Sequence, residues 1–223
     1  MSSKTLVLST KKLAANQNQL LVDANFDVID DDFIQTKSHA FELSKVNSNL
    51  IFTSQNAVQS ILNHSKIDSL KSKNVFSVGM KTKDLLSKNG FNVVAYTGYA
   101  ADLAEIISLI YSNESFTFFS GNLRRDTLPN TLQENKIEFN EIQVYETELT
   151  PKKITAKIDG LLFFSPSGVE SYLKLNTIKN EMCFCIGETT AEALEHKKIK
   201  NIIIADKPSV ENVILEVIEY FNK

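Results

Sequence analysis

The chain holds two arginines, Arg124 and Arg125, side by side; every other fixed cation is a lysine. They follow an apolar run, Phe116-Thr-Phe-Phe119, and a small polar turn, Ser120-Gly121-Asn122. The pattern predicts a strand, a turn, and a helix that opens with the arginine pair. Such a turn suits an anion, because unpaired backbone N–H groups and the helix dipole both face outward there. A guanidinium adds a planar fork that grips a carboxylate or phosphate through two hydrogen bonds. A plain βα turn with two solvated arginines fits the same residues.

The same design recurs. Thr53-Ser54-Gln55-Asn56 follows Leu50-Ile-Phe52, and Ser165-Pro-Ser167-Gly168 follows Gly160-Leu-Leu-Phe-Phe164. Gly79-x-x-Thr82 and Gly187-x-Thr189-Thr190 also close apolar runs. Each turn could bind a ligand, or its Ser or Asn could simply cap the helix that follows. Glycine at 79 and 187 allows close backbone approach or a positive φ, and the threonines supply hydroxyls. Tyr145 stands in an extended segment with Gln143 and Glu146, as a packed strand aromatic or in a catalytic role.

Other chemistry finds little support. No G-x-G-x-x-G, P-loop or G-x-S-x-G pattern is present. His39, His64 and His196 lack metal-ligand spacing, so no metal and no cofactor is expected. Asp30-Asp-Asp32 reads as a solvated turn that could also take a cation. Cys183 and Cys185 sit two apart in a predicted strand, facing one side, where they suit a reduced core better than a disulfide.

These turns need scaffolding, and short apolar strands alternating with helical patterns supply it as an α/β fold with mainly parallel sheets. Extended pieces are expected at 33–37 and 143–149, a short helix near Phe41, and a helix stripe of Leu103, Ile106, Ile107 and Ile110. Pro208 is expected in the first turn of the last helix. The chain also repeats itself. Phe52-Thr-Ser54 matches Phe163-Phe-Ser165 (163 − 52 = 111), Gly79-x-x-Thr82 matches Gly187-x-x-Thr190 (187 − 79 = 108), and Phe26-x-Val28 matches Ile137-x-Phe139 (137 − 26 = 111). So long a period implies a duplicated α/β unit, two similar lobes cut near residue 112, with polar strand ends lining a cleft between them.

Composition sets limits. A net charge of −3 opposes a general nucleic-acid or anionic-membrane binder. No apolar run approaches the ~20 residues of a membrane span. Met1-Ser-Ser-Lys-Thr5 lacks the basic start and apolar core of a signal peptide, so a cytoplasmic protein is expected. Two classes remain: an enzyme acting on a small anionic molecule, or a non-catalytic two-lobed module that binds a small anion or sugar acid.

Five motifs in order, Ile51-Phe-Thr-Ser-Gln-Asn-Ala-Val58, Gly121-Asn-Leu-Arg-Arg125, Val144-Tyr145, Phe163-Phe-Ser-Pro-Ser-Gly168 and Ile186-Gly-Glu-Thr-Thr-Ala191, resemble the uroporphyrinogen-III synthase family. Many bacterial members carry Arg-Pro where this chain has Lys11-Lys12. The resemblance implies two α/β lobes, 1–34 with 150–223 and 37–146, joined by a two-stranded β connector at 33–37 and 143–149. It implies cyclisation of linear hydroxymethylbilane to uroporphyrinogen III, with loss of water and inversion of the last ring. No metal or cofactor is implied, and a monomer is expected. The substrate carries eight carboxylates, and helix N-termini would hold several of them without a basic protein. Tyr145 would donate the proton to the leaving hydroxyl, and Thr190 would be a second contact. Thr53, Ser54, Gln55, Asn56, Gly79, Thr82, Ser120, Gly121, Asn122, Arg124, Arg125, Ser165, Ser167, Gly168 and Thr189 would bind substrate.

Overall fold

Asn49-Leu-Ile-Phe52 and Gly160-Leu-Leu-Phe163 are buried along their whole length, as strands are when helices cover both faces of a parallel sheet. The computed structural model describes residues 4–222; the Met1-Ser2-Ser3 start lies outside them. In chain order the elements are β1 (Leu6–Ser9), α1 (Ala15–Asp23), β2 (Asp27–Asp30), β3 (Ile34–Ser38), β4 (Asn49–Phe52), α2 (Gln55–Leu62), α3 (Ile67–Lys71), β5 (Asn74–Val78), α4 (Met80–Lys88), β6 (Asn92–Thr97) and α5 (Ala100–Ile110). There follow β7 (Ser115–Gly121), α6 (Thr127–Glu134), β8 (Glu138–Leu149), β9 (Gly160–Phe163), α7 (Pro166–Leu175), β10 (Met182–Cys185), α8 (Glu188–Glu195), β11 (Ile202–Ile204) and α9 (Val210–Phe221).

The chain divides into two units, one of Met1–Gln35 with Glu148–Lys223 and one of Thr36–Thr147. A cut at 112 would instead fall inside the second unit, between α5 and β7. Both boundaries lie within strands, β3 and β8.

The first unit carries the sheet β11-β10-β9-β1-β2, parallel at every pairing. Strand alternation sorts its core into two layers. Leu161, Phe163, Cys183 and Cys185 pack with Val169 and Tyr172 of α7 and Leu194 of α8. Leu162 and Phe184 pack with Leu21 of α1 and Val213, Ile214 and Val217 of α9. Both cysteines are free and fully buried, and burial pushes each thiol up to about 12.

The second unit follows the same plan. Its sheet runs β3-β8-β7-β4-β5-β6, with β4 to β8 pairing in parallel. Leu50, Phe52 and Phe119 pack with Val58 and Ile61 of α2 and Leu86 of α4. Ile51, Phe76, Phe116 and Phe118 pack with Leu103 and Ile107 of α5 and Leu128 and Leu132 of α6. Strands β8-β7-β4-β5-β6 thus repeat β2-β1-β9-β10-β11, which is the duplication read from the repeat offsets.

Several local expectations are corrected. Residues 39–48 form no helix. Asn140 Nδ2 donates to the Lys45 carbonyl at 2.9 Å and Asn47 N to Thr117 Oγ1 at 2.8 Å, so remote side chains take backbone groups of the segment in place of helical bonds. Strand β7 runs through Ser120 and Gly121, and α6 starts only at Thr127, so Arg124 and Arg125 lie in a loop and not at a helix N-terminus. The loop begins as a turn in which Arg124 N donates to the Gly121 carbonyl at 3.1 Å. Ile110 is 69% exposed, and Ala104 takes the buried place beside Leu103 and Ile107. Pro208 precedes the N-cap Ser209, outside the helix.

Candidate functional site

In the second unit the strand order sets the turns side by side at the carboxyl ends of the strands: β8, then Ser120–Asn122, Thr53–Asn56, Gly79–Thr82 and Thr97 of β6. The sequence-predicted residues of this unit therefore share one edge, the edge at which open α/β sheets bind ligands. Their individual roles differ. Ser54 caps α2, its hydroxyl accepting from Asn56 N at 3.1 Å. Gly79 has φ 85°, a left-handed conformation that glycine alone adopts without strain, and opens α4, over whose first turn Thr82 is buried. The side chains of Thr53, Gln55 and Asn56 make no hydrogen bond among the described residues.

The β7–β8 margin is knitted together. Arg124 forks onto Glu141, Nε to Oε1 at 2.8 Å and Nη2 to Oε2 at 3.1 Å, and also pairs with Asp126. Ser120 donates to Glu141 Oε1 at 2.5 Å. Burial pushes the Glu141 carboxyl up, but the bonds from Arg124 and Ser120 outweigh it and leave the group below the usual carboxylate range. Burial likewise opposes, and Glu141 and Asp126 overcome, the charge on Arg124, which is held even more firmly than usual. Asn122 donates to the Thr147 carbonyl at 3.2 Å and accepts from Thr147 N at 2.8 Å. Ser120, Asn122 and Arg124 are thus engaged within the protein, and Glu141, which the sequence reading missed, is the common partner of Ser120 and Arg124.

Tyr145 lies opposite Gly121 across a bulge in the β7–β8 register, where Ser120 pairs with Gln143 and Gly121 with Tyr145. Its ring packs against the cluster under α2, half-buried, and its hydroxyl makes no hydrogen bond among the described residues.

In the first unit, Ser165 caps α7 by accepting from Gly168 N at 3.1 Å and meets Ser167 Oγ at 3.0 Å. Thr189 and Thr190 lie in the first turn of α8, Thr190 fully buried and Thr189 partly exposed. Gly187 is extended, with φ 177°, so of the two reasons offered for a glycine there a positive φ does not apply. Adjacent strand order again places the β9 and β10 turns together. Beside them the Asp30-Asp-Asp32 run is more than a solvated turn. Asp30 accepts from Leu13 N at 3.0 Å and Asp32 from Lys12 N at 2.9 Å, so acidic side chains already occupy these two amides of the β1–α1 loop. Asp31 pairs with Lys152, whose hydrogen bond holds it below the usual carboxylate range. A hollow of about 510 Å³ lined by Asp159, Lys179, Glu181 and Tyr220 lies at the other ends of β9 and β10, away from these turns.

A family model described as uroporphyrinogen-III synthase HemD matches residues 30–214. Uroporphyrinogen-III synthase of Saccharomyces cerevisiae is 25% identical over 210 residues, covering 78% of this chain and 76% of its own length. Porphyrin biosynthesis protein HemD of Ruminiclostridium josui is 23% identical over 201 residues, 81% of this chain but 40% of that longer protein. Among solved structures, uroporphyrinogen-III synthetase from Helicobacter pylori superposes with TM-score 0.73 at 23% identity, over 98% of this chain and 100% of that one. A mutant uroporphyrinogen III synthase from Thermus thermophilus gives TM-score 0.73 at 15% identity, over 98% and 99%. At such identities these two share the fold.

Proposed function

The chain belongs to the uroporphyrinogen-III synthase family, and from that premise we propose which of its residues carry the reaction. The family closes linear hydroxymethylbilane into uroporphyrinogen III, a step of tetrapyrrole and heme biosynthesis, as a cyclising lyase. The physical task is to fold a flexible polycarboxylate, help hydroxide leave, and keep water from the cation that results.

Tyr145 is the proton donor. One observation carries this: a half-buried phenol at the strand-end edge whose hydroxyl has no hydrogen-bond partner among the described residues. A phenol hydroxyl can donate its proton to a departing hydroxyl. The C–O bond of the hydroxymethyl group breaks, water leaves, and the pyrrole nitrogens stabilise the azafulvene cation. The cationic carbon bonds to the last ring at the α carbon that already carries the bridge to the third ring. That older bond breaks, and the freed bridge carbon bonds to the last ring's other α carbon, which inverts the ring. The proton lost from that carbon as the pyrrole regains aromaticity returns to the phenolate. Thr190 is the second contact in this reading. Thr53, Gln55, Asn56, Gly79 and Thr82 of one unit, and Ser165, Ser167, Gly168 and Thr189 of the other, hold carboxylates through hydroxyls, amides and helix N-termini. Arg125 adds charge beside them. The enzyme works without a cofactor, as a cytoplasmic monomer.

Incubation of the protein with hydroxymethylbilane, followed by separation of the isomers, tests the reading. Uroporphyrinogen III is the expected product; accumulation of only the spontaneous type I ring overturns it.

A further inference from the structure

Gly121 is not a glycine for conformational reasons, since among the described residues only Gly79 and Gly90 are glycines with positive φ. Its reason is space. A Cβ placed on Gly121 would lie 2.3 Å from Tyr145 Cζ and 2.4 Å from Cε2. The hydroxyl-bearing end of the ring therefore rests directly on the glycine backbone, and any side chain at 121 would drive that end away. The register supports this reading. Val144 and Tyr145 are consecutive, yet both reach the same apolar cluster, because the bulge suspends the strand's alternation at this point.

A bulge is a place where a strand can slip or bend, and here it is fixed on both sides. Two residues beyond Tyr145, the Asn122 side chain closes a pair of hydrogen bonds with the Thr147 backbone, imitating the ladder that the bulge interrupts. Four residues before it, Glu141 is held by Arg124 and Ser120. From this arrangement we infer that Gly121 and Asn122 are positioning residues: Gly121 forms the seat of the Tyr145 ring and Asn122 locks the strand that carries it, so together they set where the phenol hydroxyl points. The inference rests on Tyr145 as proton donor. It changes the part played by the Gly121-Asn122 turn from holding substrate to aiming the group that protonates it.

The test compares Gly121→Ala, Asn122→Ala, Tyr145→Phe and the double variant Gly121→Ala/Tyr145→Phe in the full-length protein. A displacement of about 1 Å in a reacting group can cost roughly 10²-fold in turnover, and that loss in kcat is expected for Gly121→Ala, with KM little changed. Asn122→Ala adds no bulk and is expected to lower kcat by about 10-fold, again without raising KM. In the Tyr145→Phe background, which has no hydroxyl left to aim, Gly121→Ala should cost little further turnover. Additive losses in the two backgrounds, or a rise in KM in place of a fall in kcat, overturn the inference. Incorporated 3-fluorotyrosine gives a readout independent of turnover. The ¹⁹F resonance that disappears in Tyr145→Phe should move in both Gly121→Ala and Asn122→Ala, and an unmoved resonance overturns the seat. If Tyr145→Phe turns over like the parent while the resonance moves, the proton-donor assignment fails and the aiming role falls with it, but the packing of ring on glycine stands.

Discussion

Asp30 and Glu141 occupy equivalent places in the two units. Asp30 sits opposite Ser9 on β1 and Glu141 opposite Phe118 on β7, in sheets of the same strand order. Each acid ties down the loop that follows its neighbouring strand, but by different means. In the first unit the strand ends at Asp30, and the carboxylate takes a backbone amide, Leu13 N. In the second, the strand runs on for eight more residues to Leu149, and the carboxylate takes two side chains, Arg124 and Ser120. A backbone amide can anchor a loop whatever its side chains are. A guanidinium fork also fixes direction, because both nitrogens must meet both oxygens. The unit that continues its strand past the anchor carries Tyr145, and the unit that stops does not. The duplication supplied the anchor twice, and only one copy holds a strand that continues to Tyr145.

The largest effect that separates the units is on turnover. Tyr145→Phe removes one oxygen and is expected to lower kcat by about 10²-fold or more, the usual scale for general acid catalysis, with the melting temperature nearly unchanged. Thr190→Val in the other unit should cost about 10-fold, the scale of one lost hydrogen bond near 1.4 kcal/mol. Steady-state kinetics on hydroxymethylbilane read both, and a ranking in the opposite order would place the chemistry in the first unit.

Stability separates them next. Arg124 and Glu141 side chains are 26% and 29% exposed, so losing the fork strands a partly desolvated carboxylate. Arg124→Ala should lower unfolding free energy by about 1–2 kcal/mol, and Asp30→Ala, which loses one backbone bond, by about 1 kcal/mol or less. Urea titrations decide. If Arg124→Ala leaves stability intact and raises KM, the arginine is a substrate contact, as its isolation in the sequence first suggested.

That first suggestion shows where the sequence was legible. The fully apolar strands at Leu50–Phe52 and Leu161–Phe163, and the small polar residues that follow them, announced parallel strands opening into capped helices. Both Ser54 and Ser165 do cap helices. What hid was pairing over long separations. Nothing local joins Arg124 to Glu141 or Leu13 to Asp30, so the arginines looked free and the aspartates looked solvated. One local signal was available. Pro129 fits only the first turn of a helix, which puts the start of α6 near Thr127 and the arginines outside it. The non-helical segment at 39–48 misled for the opposite reason, because its apolar spacing is met by Phe41, Leu43 and Val46 packing on the core from an irregular chain. The side chains that hold its backbone there, Asn140 and Thr117, come from remote positions.

The smallest effect is on pH dependence, and it compares the partly buried fork with an exposed ion pair of the first unit. Glu141 in the second unit and Asp31 in the first both have carboxyls held below their ordinary values. For such groups the sign is fixed: the stabilisation is complete above the ordinary carboxylate pKa, about 4.3 for glutamate and 3.9 for aspartate, and is lost as pH falls through that value toward the lower folded one. The difference in stability between parent and Glu141→Gln should therefore be full at pH 6 and shrink below about pH 4. The same comparison for Asp31→Asn should follow the same direction with a smaller amplitude, because its ion pair with Lys152 is 46% and 40% exposed. Salt distinguishes them further. Ionic screening acts on exposed pairs far more than on partly buried hydrogen-bonded ones, so 1 M sodium chloride should erase the Asp31 effect and leave most of the Glu141 effect. Equal salt sensitivity at the two positions would mean that the fork is no more than a surface ion pair, and the strand carrying Tyr145 would then depend on Asn122 alone for its anchor.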